Sequence, residues 1–212
     1  PRQIKKKKNP TPQPLRGKYR IIRGLDEECV KFSVGMINGD YRRYRDGVLR
    51  ESGIYAKGKR NSTFTEYYQD GVTPRKETPM QQGKIDGTVK TYFRNGKIEA
   101  EKEYKQSVES GRERRFDSKT GEQIFESHYI DGKKDGEEWE IFEDASTLRS
   151  RIIRHYRNGK LDGSYRVEST RDGKPYITIE GQYTDGEKSG QWIEHNYDNN
   201  TQTCTWHGEG GA

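Results

Sequence analysis

Bulky side chains recur along the chain at intervals of about two dozen residues, each followed three positions later by a small residue and four positions after that by a second one. "YIDGKKDG" from Tyr129 and "YRNGKLDG" from Tyr156 show the pattern in full. Seven copies are recognisable, and they begin at Phe32, Tyr55, Met80, Tyr104, Tyr129, Tyr156 and Tyr183. A constant period of this length predicts an architecture in which one supersecondary unit stacks on the next.

The segments between these small residues predict strands rather than helices. "GSYRVEST" (163–170) and "KPYITIEGQYT" (174–184) are rich in the β-branched and aromatic residues that favour strands. A second turn signal follows each copy: Asp46-Gly47, Asp70-Gly71, Asn95-Gly96, Thr120-Gly121, Asp144-Ala145, Asp172-Gly173 and Asn199-Asn200. Asn-Gly and Asp-Gly are typical of tight hairpins because these residues tolerate positive φ. Each unit is therefore predicted to contain two strands and two reversals.

The repeat predicts an all-β fold, an elongated antiparallel meander of about seven two-stranded hairpins, or about 14 strands, in an open twisted sheet. The seven residues that begin the copies are the predicted repeat core, in which each ring packs on neighbouring rings and on glycine backbone. Residues 17–31 are expected to cap the sheet, 32–200 to form the repeats, and 201–212 to supply an edge strand and tail. A sheet closed on itself and a propeller are the alternatives, although propeller blades need about 40 residues.

The composition agrees with a thin fold. Apolar residues make up 27% of the chain and charged residues 35%, whereas ordinary globular domains are about 45 to 50% apolar. A thick core is therefore hard to build. The 14 Tyr, 6 Phe and 3 Trp nevertheless argue against disorder, because disordered chains are poor in aromatic residues.

A second set of aromatic residues follows the second small residue of many copies, two, three or five positions later. These residues are the candidate partner-binding set: Tyr44, Tyr67, Trp139, Tyr165 and Trp192. Offsets of two and five place side chains on opposite faces of an ideal strand. The sequence thus leaves two interpretations, a bulge within the strand or aromatic residues on both faces.

The net charge of +6 lies entirely in residues 1–16, a proline-rich tail without acidic residues. The rest of the chain balances at 34 basic and 34 acidic residues, which argues against a nucleic-acid partner because such proteins carry a basic face on the folded part. The tail is predicted to be a flexible linker. Its lysines are a candidate contact with an anionic membrane surface, namely Lys5, Lys6, Lys7 and Lys8.

The sequence predicts no membrane-spanning segment, because it contains no apolar run of the required length of about 20 residues. The first residue is Pro rather than Met, so an upstream leader is expected to be missing from the printed sequence. Both the cytoplasm and a bacterial cell envelope remain open as the compartment.

Catalytic, metal and cofactor sites are not expected. His128 and His155 occupy equivalent positions two strands apart, a separation of about 10 Å that is too large for one zinc ion. Cys29 and Cys204 lie near opposite ends of the chain and are not expected to pair. Neither a nucleophile motif nor a phosphate-binding loop is present. The sequence therefore predicts a protein that is not an enzyme.

Several copies resemble a known repeat family. "YRNGKLDGSYR", "YIDGKKDGEEW" and "YTDGEKSGQWIEHNYD" are similar to the MORN repeat, in the bacterial variant with the pattern Y-x-x-G-K-x-x-G-x-W-x-x-Y that is found in YwqK-type antitoxins. The resemblance covers about residues 30–200. It implies a β-hairpin repeat and a binding or scaffold role.

The leading functional hypothesis is a protein-interaction module, part of a bacterial envelope or secretion assembly or a toxin-neutralising protein. Binding would use the aromatic face or strand addition at a terminal strand, for which "KYRIIRG" and "TQTCTWHG" are the candidates. Two alternatives remain: a peripheral lipid-binding module that uses the basic tail and exposed aromatics, and a carbohydrate-binding surface protein.

Overall fold

The computed structural model describes residues 13–143, 149–171, 174–196 and 200–208. None of these residues is helical, and antiparallel strands follow one another throughout. The strands are β1 Gly17–Arg23, β2 Asp26–Ser33, β3 Met36–Ile37, β4 Gly39–Arg45, β5 Val48–Ala56, β6 Lys59–Arg60, β7 Thr63–Tyr67, β8 Pro74–Gln81, β9 Lys84–Ile85, β10 Gly87–Tyr92, β11 Ile98–Lys105, β12 Val108–Phe116, β13 Gln123–Ile130, β14 Lys133–Lys134, β15 Gly136–Glu143, β16 Arg149–Arg157, β17 Lys160–Arg171, β18 Lys174–Thr184, β19 Glu187–Asn196 and β20 Thr201–His207.

The strands form one open meander. Each strand longer than two residues pairs with the next such strand along the chain, and in the described residues β1 pairs only with β2 and β20 only with β19. The predicted all-β open antiparallel sheet is therefore confirmed, and neither a closed sheet nor a propeller is formed. The four two-residue strands, β3, β6, β9 and β14, each lead into the strand that follows. Apart from these four, the described residues contain 16 longer strands: 13 of them, from β4 to β19, lie within the predicted repeat region 32–200, where about 14 were expected, and β1, β2 and β20 lie at its two ends.

Some predicted features lie outside the described residues. They are the lysines Lys5, Lys6, Lys7 and Lys8, the turns Asp144-Ala145 and Asp172-Gly173, and Asn199. The other predicted second turns are present, as the reversal between β4 and β5 and the loops 68–73, 93–97 and 117–122. We call the end of the strands that carries these loops the second-turn end.

The first turn of each repeat, at the opposite or first-turn end of the strands, is a tight two-residue reversal. In Asp131-Gly132 the φ angles are 48° and 79°, and in Asn158-Gly159 they are 51° and 87°. Two consecutive positive φ angles are the geometry of type I′ turns, which suits Asn-Gly and Asp-Gly. The turns also join the repeats to each other, because the N–H of Gly159 donates to the carbonyl of Lys134 in the preceding repeat at 2.7 Å.

The second small residue of each repeat marks a bulge rather than a turn. In the fifth repeat Tyr129 pairs with Lys134, whereas Phe125 pairs with Glu140, so the register changes by two residues between these pairs. The same change occurs in all seven repeats. Gly163, at this position in the sixth repeat, has a φ of 121°, a conformation that is essentially restricted to glycine.

A further bulge resolves the two interpretations of the aromatic offsets. The register shifts by one residue between Arg43 and Tyr44 and again between Glu66 and Tyr67. Both shifts coincide with the aromatic residue five positions after the second small residue. A bulge therefore intervenes, and the simple alternation of faces does not extend past it.

One row of side chains that crosses the sheet from strand to strand, here called the central row, contains the three most deeply buried ones, Phe64, Ser127 and Glu138, each 1% exposed. Paired residues of antiparallel strands project from the same face, so the row defines one face of the sheet, the aromatic face. Its members are Val30, Tyr41, Gly53, Phe64, Thr78, Val89, Lys102, Glu113, Ser127, Glu138, Arg154, Tyr165, Gly181 and Trp192. The row is apolar towards both ends of the sheet and polar in the middle.

Candidate interaction site

The seven predicted repeat-core residues lie on the aromatic face, beside the central row, and each is half-buried. At the N-terminal end Tyr55 contacts two buried rings of the row, with ring centroids 5.4 Å from Tyr41 and 5.4 Å from Phe64. Phe32 and Met80 pack against the same cluster. These rings therefore pack on the sheet at its N-terminal end, beside the more deeply buried rings of Tyr41 and Phe64.

A second aromatic cluster lies at the C-terminal end of the row. The Tyr183 ring contacts Tyr165 at 5.7 Å and Trp192 at 5.2 Å between centroids. The indole Nε1 of Trp192 donates a hydrogen bond to the carbonyl of Gln182 at 3.1 Å. Trp192 is only 5% exposed. Its ring is therefore buried within the sheet, and its indole N–H has a hydrogen-bond partner there.

The middle of the row is held by charged groups. Lys102 donates to Glu113 at 3.1 Å, and the Tyr129 hydroxyl donates to the same carboxylate at 3.0 Å. Burial opposes the ionisation of Glu113, but hydrogen bonds from Arg115 and Lys102 outweigh it and lower its pKa. Burial and the field of Glu113 raise the pKa of Tyr129 to about 12. The ring of Tyr129 also accepts a cation–π contact from Lys102, whose Nζ lies 4.4 Å from its centroid.

The next repeat reproduces this arrangement around Glu138, which is 1% exposed. Its carboxylate pairs with Lys134 and, at 3.0 Å, with Nε of Arg154. Tyr156 donates to Oε1 of Glu138 at 3.4 Å. The repeated aromatic residues alone do not predict this part of the central row, because glutamate stands there in place of a ring. The sequence signal is positional: a residue of the central row lies two positions after the second small residue of each repeat, as Glu138 does after Gly136.

The five candidate partner-binding residues do not form one surface. Trp192 is a correction: it is buried in the C-terminal cluster, where the neighbouring Tyr165 is half-buried. Trp139 follows Glu138 directly and so lies on the opposite face, where the Arg151 guanidinium covers its ring at 4.5 Å.

Tyr44 and Tyr67 lie towards the second-turn end, beside the one-residue bulges. Both rings are half-buried. The Tyr67 hydroxyl shares a hydrogen bond with Ser52 at 3.0 Å. Neither tyrosine therefore extends the aromatic clusters of the central row.

Trp206 is the most exposed aromatic side chain in the described part of the chain, at 70%. It lies in the edge strand β20, which contains no Lys, Arg, Asp or Glu. The sequence had suggested this strand as a terminal strand, but the isolated tryptophan was not among the candidate residues. The opposite edge strand, β1, carries Lys18, Arg20 and Arg23.

A group of arginines near the second-turn end was also missed. Arg43, Arg45, Arg50, Arg75 and Arg94, here called the arginine groove, line a depression of 480 Å³ together with Glu66, Tyr67, Tyr68 and Gln69. These residues come from β4, β5, β7, β8 and the loops after β7 and β10. No local motif contains them, and only the pairing of strands brings them together.

The histidines and cysteines form no shared site in the described residues. His128 and His155 each face a different glutamate, Glu126 at 3.6 Å and Glu137 at 3.7 Å. Among the residues that the structure describes, no three His, Cys, Asp or Glu side chains are grouped so that they could hold a metal ion. Both cysteines are free thiols.

The chain matches no protein-family model, and no curated protein matches it. The resemblance to MORN repeats therefore stays a prediction that depends on the residues quoted above. No described segment is a helix that is long and apolar enough to cross a membrane.

Proposed function

We propose that the protein is a non-enzymatic interaction module of MORN-like repeats that binds a protein partner by strand addition at β20. The observation that carries the proposal is the uncharged outer strand with its exposed Trp206. An edge strand presents unpaired backbone N–H and C=O groups, and proteins usually protect such edges with charges, proline or a covering element.

The contrast between the two edges supports this choice. β1 carries three basic residues in seven, a common protection against unwanted pairing, whereas β20 has three threonines and one tryptophan and contains no Lys, Arg, Asp or Glu. Within the described part of the chain β20 pairs on one side only. In strand addition the backbone supplies affinity and alternate side chains supply specificity, and a tryptophan is a frequent energetic anchor at interfaces.

The repeats then act as a rigid support for that edge. First turns hydrogen-bonded to the preceding repeat and a bulge in every repeat give each hairpin the same relation to its neighbour. Such repeat architectures commonly display extended binding surfaces. The lipid-binding and carbohydrate-binding alternatives stay predictions, and the lysines on which the first depends lie outside the described residues.

Affinity capture with three forms of the full chain tests the proposal. The double variant Thr203→Lys with Trp206→Ala places a charge on β20 and removes its anchor, while Ile22→Ala truncates an exposed apolar residue on β1. We expect the wild type and Ile22→Ala to retain a stoichiometric protein partner that the double variant loses. Retention by the double variant would contradict strand addition at β20. Capture of no stoichiometric protein by the wild type would contradict the interaction role.

A further inference from the structure

The arginine groove carries a positive charge that the structure does not neutralise. Two of its five arginines are paired with carboxylates, Arg43 with Glu51 at 3.5 Å and Arg75 with Glu66. Arg50 donates instead to the neutral carbonyl of Tyr68 at 3.2 Å. Three guanidinium charges therefore remain without a carboxylate partner among the described residues: Arg45, Arg50 and Arg94.

Two contacts connect the loops that line the groove. Arg94 lies above the Tyr68 ring with its guanidinium carbon 5.7 Å from the centroid, and the hydroxyl of Tyr68 donates to the carbonyl of Tyr92 at 2.5 Å. The loop after β7 is thereby attached to the next repeat. Arg45 is exposed, and its guanidinium has no hydrogen-bond or ion-pair partner in the described residues. The Arg45 guanidinium is therefore available to an anion that enters the groove.

The residue types indicate the chemistry of that anion. All five cations are arginines, whose planar fork of donors binds carboxylate or phosphate oxygens in pairs, and lysine is absent from the lining. Tyr67 and Gln69 add neutral polar groups beside them. Several donors converging within 480 Å³ suit a ligand that carries two or three anionic groups close together.

We propose that the arginine groove binds a segment of a partner protein that carries closely spaced Asp or Glu side chains. A nucleic acid would need a continuous basic surface along its backbone, but the charge here is local, and the chain beyond residue 16 is balanced at 34 basic and 34 acidic residues. Asp70, in the loop after β7, lies near Arg94, and the charge of Arg94 makes a small contribution to lowering the pKa of Asp70, after hydrogen bonds from Thr73 and Val72. The two side chains form no ion pair among the described residues, so the Arg94 guanidinium is still available to an incoming carboxylate.

This site is distinct from the β20 edge, and neither proposal requires the other. β20 forms the C-terminal edge of the sheet, whereas the groove is built from the first three repeats and the loops at the second-turn end. An acidic segment could belong to the strand-adding partner or to a different protein. The binding measurement below uses neither partner and so separates the two proposals.

Fluorescence anisotropy with a labelled oligoglutamate peptide tests the groove in the full chain. We expect saturable binding that weakens as salt is added, because exposed charges are screened. Arg45→Gln and Arg94→Gln should each weaken binding about tenfold, the effect of losing one charge-assisted hydrogen bond. Arg157→Gln is the matched control, since it removes the same charge from an exposed residue next to a first turn.

Two competitors, inorganic polyphosphate and a single-stranded oligonucleotide, identify the anion class. The proposal requires the peptide to bind at least as tightly as either competitor at the same salt concentration. Tighter binding of a competitor would overturn it, and so would equal peptide affinity in the wild type and the Arg45→Gln, Arg94→Gln double variant. Circular dichroism shows whether the variants retain the sheet, and Arg45→Lys, which keeps the charge but not the fork, should restore part of the affinity.

Discussion

The indole of Trp192 packs against the backbone of Gly181 on the adjacent strand, so closely that a Cβ at Gly181 would overlap the ring. The same relationship recurs near the other end of the sheet, where a Cβ at Gly53 would lie 2.7 Å from the ring of Phe64. Neither glycine has positive φ. Each is required by the approach of a ring rather than by its own backbone conformation, and these two buried rings therefore pack on strand backbone.

Replacing Gly181 with alanine should lower the free energy of unfolding by about 1 to 3 kcal/mol, the usual cost of overpacking a filled site. Urea unfolding followed by tryptophan fluorescence measures the change. Gln182→Ala, on the adjacent exposed residue, is the control and should change stability by less than about 0.5 kcal/mol. The steric explanation also requires Gly181→Ala to cost much less in a Trp192→Ala background, and an equal cost there would contradict it.

The sequence was sufficient to predict the sheet because its signals are local. Turns such as Asn158-Gly159 need positive φ at both residues, so Asn and Gly recur there and mark each hairpin. The period then determines the strand number and places the rings of Tyr55 and Tyr183 on one face. These features depend on the backbone preferences of a few adjacent residues and on constant spacing.

The deeper organisation depends on contacts between strands and could not be predicted in the same way. The bulge at Gly163 changes which residues face each other, and a two-residue shift is not visible from strand propensity. Trp192 was assigned to a binding surface because an aromatic residue on a strand looks the same whether it packs on glycine or faces solvent. The arginines of the groove come from separate strands and loops, and only the register brings Arg45 towards Arg94.

The buried carboxylate of Glu138 should contribute strongly to stability. Replacing it with glutamine leaves the charges of Lys134 and Arg154 without their shared partner, and breaking a buried ion pair from one side costs about 3 kcal/mol. Glu137→Gln is the matched control, because that side chain is 49% exposed and faces only His155. Its replacement should cost less than about 0.5 kcal/mol. Equal losses in urea unfolding would show that the middle of the row does not depend on this carboxylate.

Acid should weaken the sheet partly through Glu113. Its pKa is lowered in the folded protein from the ordinary value of 4.5, because hydrogen bonds from Arg115 and Lys102 outweigh the effect of burial. The unfolded chain therefore takes up a proton first as the pH falls, so the contribution is complete above pH 4.5 and is lost as the pH drops through the lower folded value. Glu113→Gln should reduce stability at neutral pH yet show a shallower decline under acid. A decline parallel to that of the wild type would contradict this role.

The attachment of one repeat to the next should depend on Asp135. Its Oδ2 accepts a hydrogen bond from the backbone N–H of Asn158, the first residue of the next repeat's turn, at 3.0 Å. Asn61 makes the equivalent bond to the N–H of Gln82 at 3.0 Å. Asp135→Ala should cost about 1 kcal/mol. Asp135→Asn keeps an acceptor oxygen and should recover most of the loss, whereas equal losses in both variants would exclude the hydrogen bond as the cause.

Three tyrosines should ionise at a higher pH than the other tyrosines of the folded protein. Burial, with smaller contributions from neighbouring glutamates, raises the pKa values of Tyr41, Tyr92 and Tyr129 to about 12 from the ordinary value of 10.0. Phenolate absorbance of the folded protein should therefore rise in two phases, and the urea-unfolded chain should titrate in one near pH 10.

The same shift makes stability depend on alkaline pH. A raised folded pKa means that the folded protein keeps a proton which the unfolded chain has lost, so stability is fully present below pH 10 and falls as the pH approaches about 12. Tyr41→Phe is the sharpest test, because Tyr41 is 6% exposed and phenylalanine keeps the ring that contacts Tyr55 and Phe64. This variant should remove one equivalent from the late phase and flatten the alkaline decline. A late phase of unchanged amplitude would show that the Tyr41 hydroxyl reaches solvent in the folded sheet.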